Sequence, residues 1–94
     1  MNAQDLTLNI AVNLGRLSRW ATENKELRIK QFLAETEGYI NQLEKAPKNA
    51  RFNQTLEIFL NKFNQLKQQS NHDLYWADDM LTWANILTHR AKFA

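Results

Sequence analysis

Residues Leu6–Leu14 read LTLNIAVNL, with apolar side chains at positions 6, 8, 10, 12 and 14. Strict alternation is the period of a half-buried strand, whereas a helical period gathers Leu6, Ile10 and Leu14 on one face and leaves Leu8 and Val12 on another. The rest of the chain decides between the two. Its 94 residues include two glycines and one proline, too little turn chemistry for an all-β domain, and no comparable alternating run recurs to serve as a pairing partner. A lone strand would leave its backbone groups unpaired, so this stretch is expected to be helical.

Sparse punctuation sets the helix boundaries. Pro47 disfavours helical geometry at Ala46, which ends one helix near Lys45 and starts another at or after the proline. Ser70, followed three residues later by Asp73, has the spacing of a capping box for a last helix. A further boundary falls at Thr22 to Asn24, where the apolar stripe changes phase. Leu6, Ile10, Leu14, Leu17 and Ala21 share one face at ~100° per residue. Ile29, Phe32, Leu33, Thr36, Ile40 and Leu43 share another, rotated by roughly 80°. One straight helix cannot bury both against the same neighbour; Thr22 or Asn24 is expected to cap the second helix, with a bent continuous helix as the alternative. The expected helices are 4–22, 25–45, 49–69 and 72–92.

The third of these carries Phe52, Leu56, Phe59, Phe63 and Leu66 in steps of four, three, four and three, the seam of a bundle helix. The fourth carries Trp76, Met80, Trp83 and Leu87, flanked by Ala77, Ala84 and Ala91. Small residues beside large ones let helices approach closely while the tryptophans fill the space between layers. The aromatic stripes are therefore read as core and not as a cofactor box. Four such helices with short connections predict a single all-α domain over 1–94, an antiparallel up-down-up-down four-helix bundle.

Composition narrows the function classes. The absence of cysteine excludes a disulfide framework, a thiolate metal site and a thiol nucleophile, and accords with a reducing compartment. No apolar run approaches the ~18 residues of a membrane span, and the opening MNAQDLTLN lacks the basic start and apolar core of a secretion signal. A soluble, cytoplasmic protein with no membrane contact is the expectation. Twelve basic against ten acidic residues leave a net charge of +2, too small for a surface built on phosphate contacts. Eleven asparagines and seven glutamines supply much of the polar surface.

With Leu6, Ile10, Leu14 and Leu17 turned inward, Leu8 and Val12 emerge one turn apart on the far side, and Arg16 and Arg19 continue that face. An apolar pair rimmed by arginines is the pattern of a modest partner surface. Leu8, Val12, Arg16 and Arg19, with Trp20 at their edge, are the expected contact residues. Leu27, Ala34 and Gly38 fall off the core stripe of the second helix, and Tyr75, Ile86 and Phe93 lie on a flank of the fourth. Three such sets in so short a chain point to a protein partner, most economically a second copy.

Chemistry is less visible. No Glu-x-x-His pair of the kind that holds metals in bundles is present, and His72, Asp73, Asp78, Asp79 and His89 do not supply a ligand set, so no metal, cofactor or enzymatic activity is expected. His72 reads as a solvated loop residue and Asp73 as a favourable charge in a first helical turn. Asp78 shares a polar face with Thr82, Asn85 and His89. The segment KAPKNAR places Lys45, Lys48 and Arg51 around one turn, enough for a weak phosphate contact but without base-reading or stacking residues beside it. Over five residues, His89-Arg90-Ala91-Lys92-Phe93 resembles the phospho-accepting stretch of histidine phosphotransfer domains, with Phe93 where that family has glycine. The resemblance implies an exposed His89 imidazole that accepts a phosphoryl group and docks a response regulator. The leading expectation is a small interaction module (regulator, adaptor or assembly subunit), with nucleic-acid association and phosphotransfer as alternatives.

Overall fold

Leu6, Ile10 and Leu14 are sealed from solvent, at 1%, 0% and 0% exposure, while Leu8 and Val12 stand at 38% and 51%. The helical period is the real one. The structure, a computed structural model, describes residues 1–94 and contains no strand. Its helices are α1 (Ala3–Thr22), α2 (Glu26–Lys45), α3 (Ala50–Gln68) and α4 (Leu74–Arg90), the last continued by a 3-10 turn at Ala91–Phe93. They form an antiparallel up-down-up-down four-helix bundle of 37 × 20 × 18 Å.

Local chemistry explains each boundary. Asn2 accepts a 2.8 Å bond from the Asp5 amide and caps α1, a contact worth ~1 kcal/mol. The junction between α1 and α2 is a sharp break and not a bend. Asn24 sits in the left-handed region at φ 57°, the Lys25 amide donates to the Trp20 carbonyl at 2.9 Å and the Asn24 amide to that of Ala21 at 3.4 Å. These two bonds terminate α1 in a Schellman motif, with asparagine in the place usually taken by glycine. Neither Thr22 nor Asn24 caps α2, as the spacing suggested. The Thr22 hydroxyl is spent on the Arg19 carbonyl of its own helix at 2.7 Å, and α2 starts after Lys25 without a side-chain cap.

Ala46, ahead of Pro47, is extended at ψ 146°, as the proline ring demands. Asn49 then caps α3 through the Arg51 amide at 3.0 Å. At the start of α4 the cap is Asp73 itself, accepting from the Trp76 amide at 3.0 Å. Ser70 does not take that role, because the segment between Gln69 and Asp73 is not helical and the first free amides lie beyond Ser70's reach.

One core of 21 residues runs through all four helices. It contains every member of the α3 seam and Trp76, Met80 and Leu87 of α4, so the aromatic stripes are packing elements. Interhelical spacing follows side-chain size. α1 lies closest to α4, and next closest to α2. Small buried residues line the α1–α4 seam: Ala3, Thr7, Ala11 and Ser18 on one side, Ala77, Ala84 and Ala91 on the other. α3 stands further from α4 because phenylalanines and tryptophans fill the gap, as where Phe59 meets Trp83 at 5.6 Å. α2 and α3 scarcely approach one another.

Candidate interaction surface

The phase of α1 divides its exposed half between two faces of the bundle. Asn13 reaches toward Glu35 of α2 at 3.5 Å and Trp20 meets Phe32 edge-on at 4.7 Å. That side of α1 therefore faces α2, and the small residues on the opposite side face α4. Leu8, Val12 and Arg19 project outward, with Gly15 between them and no atom within 4 Å of where a Cβ on Gly15 would stand.

Two of the expected contact residues are placed differently. Trp20 is only 7% exposed; its indole is wedged against Phe32, with the Arg28 guanidinium 5.6 Å above the ring, so it belongs to the core and does not edge a partner surface. At ~100° per residue Trp20 is turned away from Arg19 toward the α2 side of α1, seven residues on from Asn13, which faces the same way. Arg16, although exposed, is drawn toward α2, with its guanidinium 5.9 Å from the Phe32 ring and 3.4 Å from the Asn13 side-chain oxygen. Arg19 is the arginine left on the outer stripe.

Sequence reasoning missed Leu74 and Leu81, which are 70% and 48% exposed. α4 presents Trp83 to Phe59 of α3 and Asp79 to Lys62 at 3.2 Å, so its alanine side is turned to α1. Leu74 and Leu81 precede Ala77 and Ala84 by three residues and border that seam on the outside. The signal lay in their seven-residue spacing, which becomes informative only once the alanines are known to face α1. Of the other exposed sets, Leu27, Ala34, Gly38 and Tyr75 are in solvent, while Ile86 and Phe93 are half-buried.

The concave places on the surface all lie between α2 and α3. The largest, about 490 Å³, is lined by Glu26, Lys30, Leu33, Glu37, Lys67 and His72, among others. Long charged side chains occupy positions where a closed seam needs interlocking apolar ones, and two polar contacts bridge the gap: Lys67 to Glu37 at 2.6 Å and His72 to Glu26 at 2.7 Å. His72 is therefore not a solvated loop residue; its ring also packs 4.4 Å from Trp76. No group of three or more histidines and acidic residues converges anywhere.

The remaining sequence candidates are dispersed. Around Pro47, the Lys48 ammonium donates to the Glu44 and Ala46 carbonyls at 2.9 and 3.1 Å, and the Arg51 guanidinium lies 5.0 Å from the Phe93 ring. Lys45 alone of the three cations extends freely. His89 is exposed, and Lys92 follows it by three residues in the 3-10 turn that continues α4. No helix is long and apolar enough to cross a membrane. No protein-family model, curated protein or solved structure matches the chain.

Proposed function

We propose that the protein is a non-enzymatic, self-associating interaction module, a regulator, adaptor or assembly subunit working in the cytoplasm. The observation that carries this reading is the exposure of Leu8 and Val12, an apolar pair on a helix whose other apolar residues are buried. Leu74 and Leu81 are two further exposed apolar residues, on the neighbouring helix α4. Isolated surface apolars are ordinary, and it is their number on two adjacent helices that supports the reading. The lack of cysteine supports the cytoplasmic setting.

Sedimentation velocity of the unmodified chain and of Val12→Glu tests the proposal. The expected result is a species larger than the monomer that the substitution disperses, with helix content by circular dichroism unchanged. A monomeric unmodified chain across the micromolar range overturns it. The nucleic-acid reading gains no support of comparable kind, since two of the three cations around Pro47, Lys48 and Arg51, make contacts within the fold.

A further inference from the structure

The two outward ribbons on the α1–α4 face have complementary order. On α1, Asp5, Leu8, Val12, Gly15 and Arg19 follow one another in steps of three and four residues. On α4, Leu74, Asp78, Leu81, Asn85 and Thr88 do the same, and every member of that second ribbon is exposed. Such spacing keeps each set on one side of its helix. The helices are antiparallel, and α1 touches the 3-10 turn that ends α4. With the start of α1 set level with that turn and a rise of ~1.5 Å per residue, Arg19 comes within about a turn of the height of Asp78, Gly15 of that of Leu81, and Leu8 of that of Thr88.

A twofold axis parallel to the helices, lying in this face, preserves heights and sets α1 of each protomer against α4 of the other. Arg19 then meets the partner's Asp78, and the partner's Leu81 meets the dent at Gly15. Neither Arg19 nor Asp78 has a salt-bridge partner within its own chain. Nor does the monomer need Gly15: no neighbour would touch an added methyl, yet glycine inside a helix costs about 1 kcal/mol relative to alanine. We infer that the occupant of the α1–α4 face is a second copy of this chain, bound as an isologous dimer in which the α1 ribbon of each protomer packs on the α4 ribbon of the other. This deepens, and rests on, the self-association reading above.

Two charge reversals, used singly and then mixed, test the arrangement. In Arg19→Glu alone each interface brings two carboxylates together, and in Asp78→Lys alone two cations. Each variant by itself is expected to self-associate at least about tenfold more weakly than the unmodified chain, because like charges facing each other at a contact are strongly unfavourable. An equimolar mixture of the two restores opposite charges at both contacts and is expected to recover association as a heterodimer. Both positions are exposed, so helix content should not change in either variant. Gly15→Ala, which fills the dent, should weaken the dimer while raising the melting temperature of the dilute monomer.

If the unmodified chain dimerises and Val12→Glu disperses it, but the mixture fails to recover association or the single reversals have no effect, this pairing is overturned and the broader reading stands. A monomeric unmodified chain overturns both.

Discussion

His72 Nδ1 lies 2.7 Å from a carboxylate oxygen of Glu26, joining the segment ahead of α4 to the first turn of α2 across 46 residues of sequence. The imidazole is held from its other side by the Trp76 indole, 4.4 Å away. This contact closes one end of the α2–α3 gap, where the helices themselves do not pack.

Removing the imidazole deletes both the polar bridge and the stacking. His72→Ala is expected to lose about 0.5–1.5 kcal/mol, given that Glu26 is well solvated. Thermal unfolding followed by circular dichroism should show a melting temperature lower by several degrees, and Glu26→Gln should have a smaller effect.

Trp76 is the largest fully buried side chain, and its indole N–H donates to the Leu66 carbonyl at 2.9 Å. Trp76→Phe keeps most of the packing and removes one of the two bonds that the Leu66 carbonyl accepts, the other coming from the Gln69 amide at 3.2 Å. The expected loss is about 0.5–1.5 kcal/mol by chemical denaturation. Trp76→Ala adds a cavity and should cost about 3–5 kcal/mol, a large fraction of the stability of a domain this size.

The left-handed geometry of Asn24 makes the junction selective. Asn24→Gly should be neutral or slightly stabilising, whereas Asn24→Val should cost about 1–2 kcal/mol because a β-branched side chain crowds the backbone at positive φ. Comparing the two by urea denaturation separates the backbone effect from any lost side-chain contact.

The α1–α4 seam is close because it is lined with small side chains. Ala84→Leu should force the helices apart and destabilise by about 1–3 kcal/mol. Leu81→Ser, on the solvent side of the same helix, should change monomer stability by less than about 0.5 kcal/mol. Equilibrium unfolding of the two variants at low protein concentration makes the comparison.

Gly38 is exposed within α2 and meets no neighbour that an added methyl would touch. Gly38→Ala should stabilise by about 0.5–1 kcal/mol, read as a higher melting temperature with unchanged helix content.

Most of the architecture was legible in the residue order. The stripes of α1, α2 and α3 predicted the buried residues well, because each reports a period that a single helix must satisfy on its own. The caps were less legible. Ser70 and Asp73, three residues apart, each offer a side-chain oxygen that can accept from a helix N-terminal amide, and the choice depends on where the chain begins to coil while the Trp76 indole still reaches the Leu66 carbonyl. His72 was misread because the carboxylate that holds it belongs to a helix 46 residues earlier. The exposed apolar residues were half legible: Leu8 and Val12 stood out by phase, but Leu74 and Leu81 became visible only once α4 was docked through its alanines.

Sequence alone determined that the chain is helical, where Pro47 interrupts it, and which apolar stripe of each helix lies inward. Those properties arise from backbone sterics and side-chain periodicity over a few turns, and neighbours are not needed to specify them. Tertiary structure decided which helices stand close and which stand apart, and so which exposed residues share a face. Arg19 and Trp20 are adjacent in the chain, yet one projects into solvent and the other is enclosed by Phe32. The physical reason is that helix spacing depends on the combined volume of two facing stripes, a quantity that exists only after the helices have met.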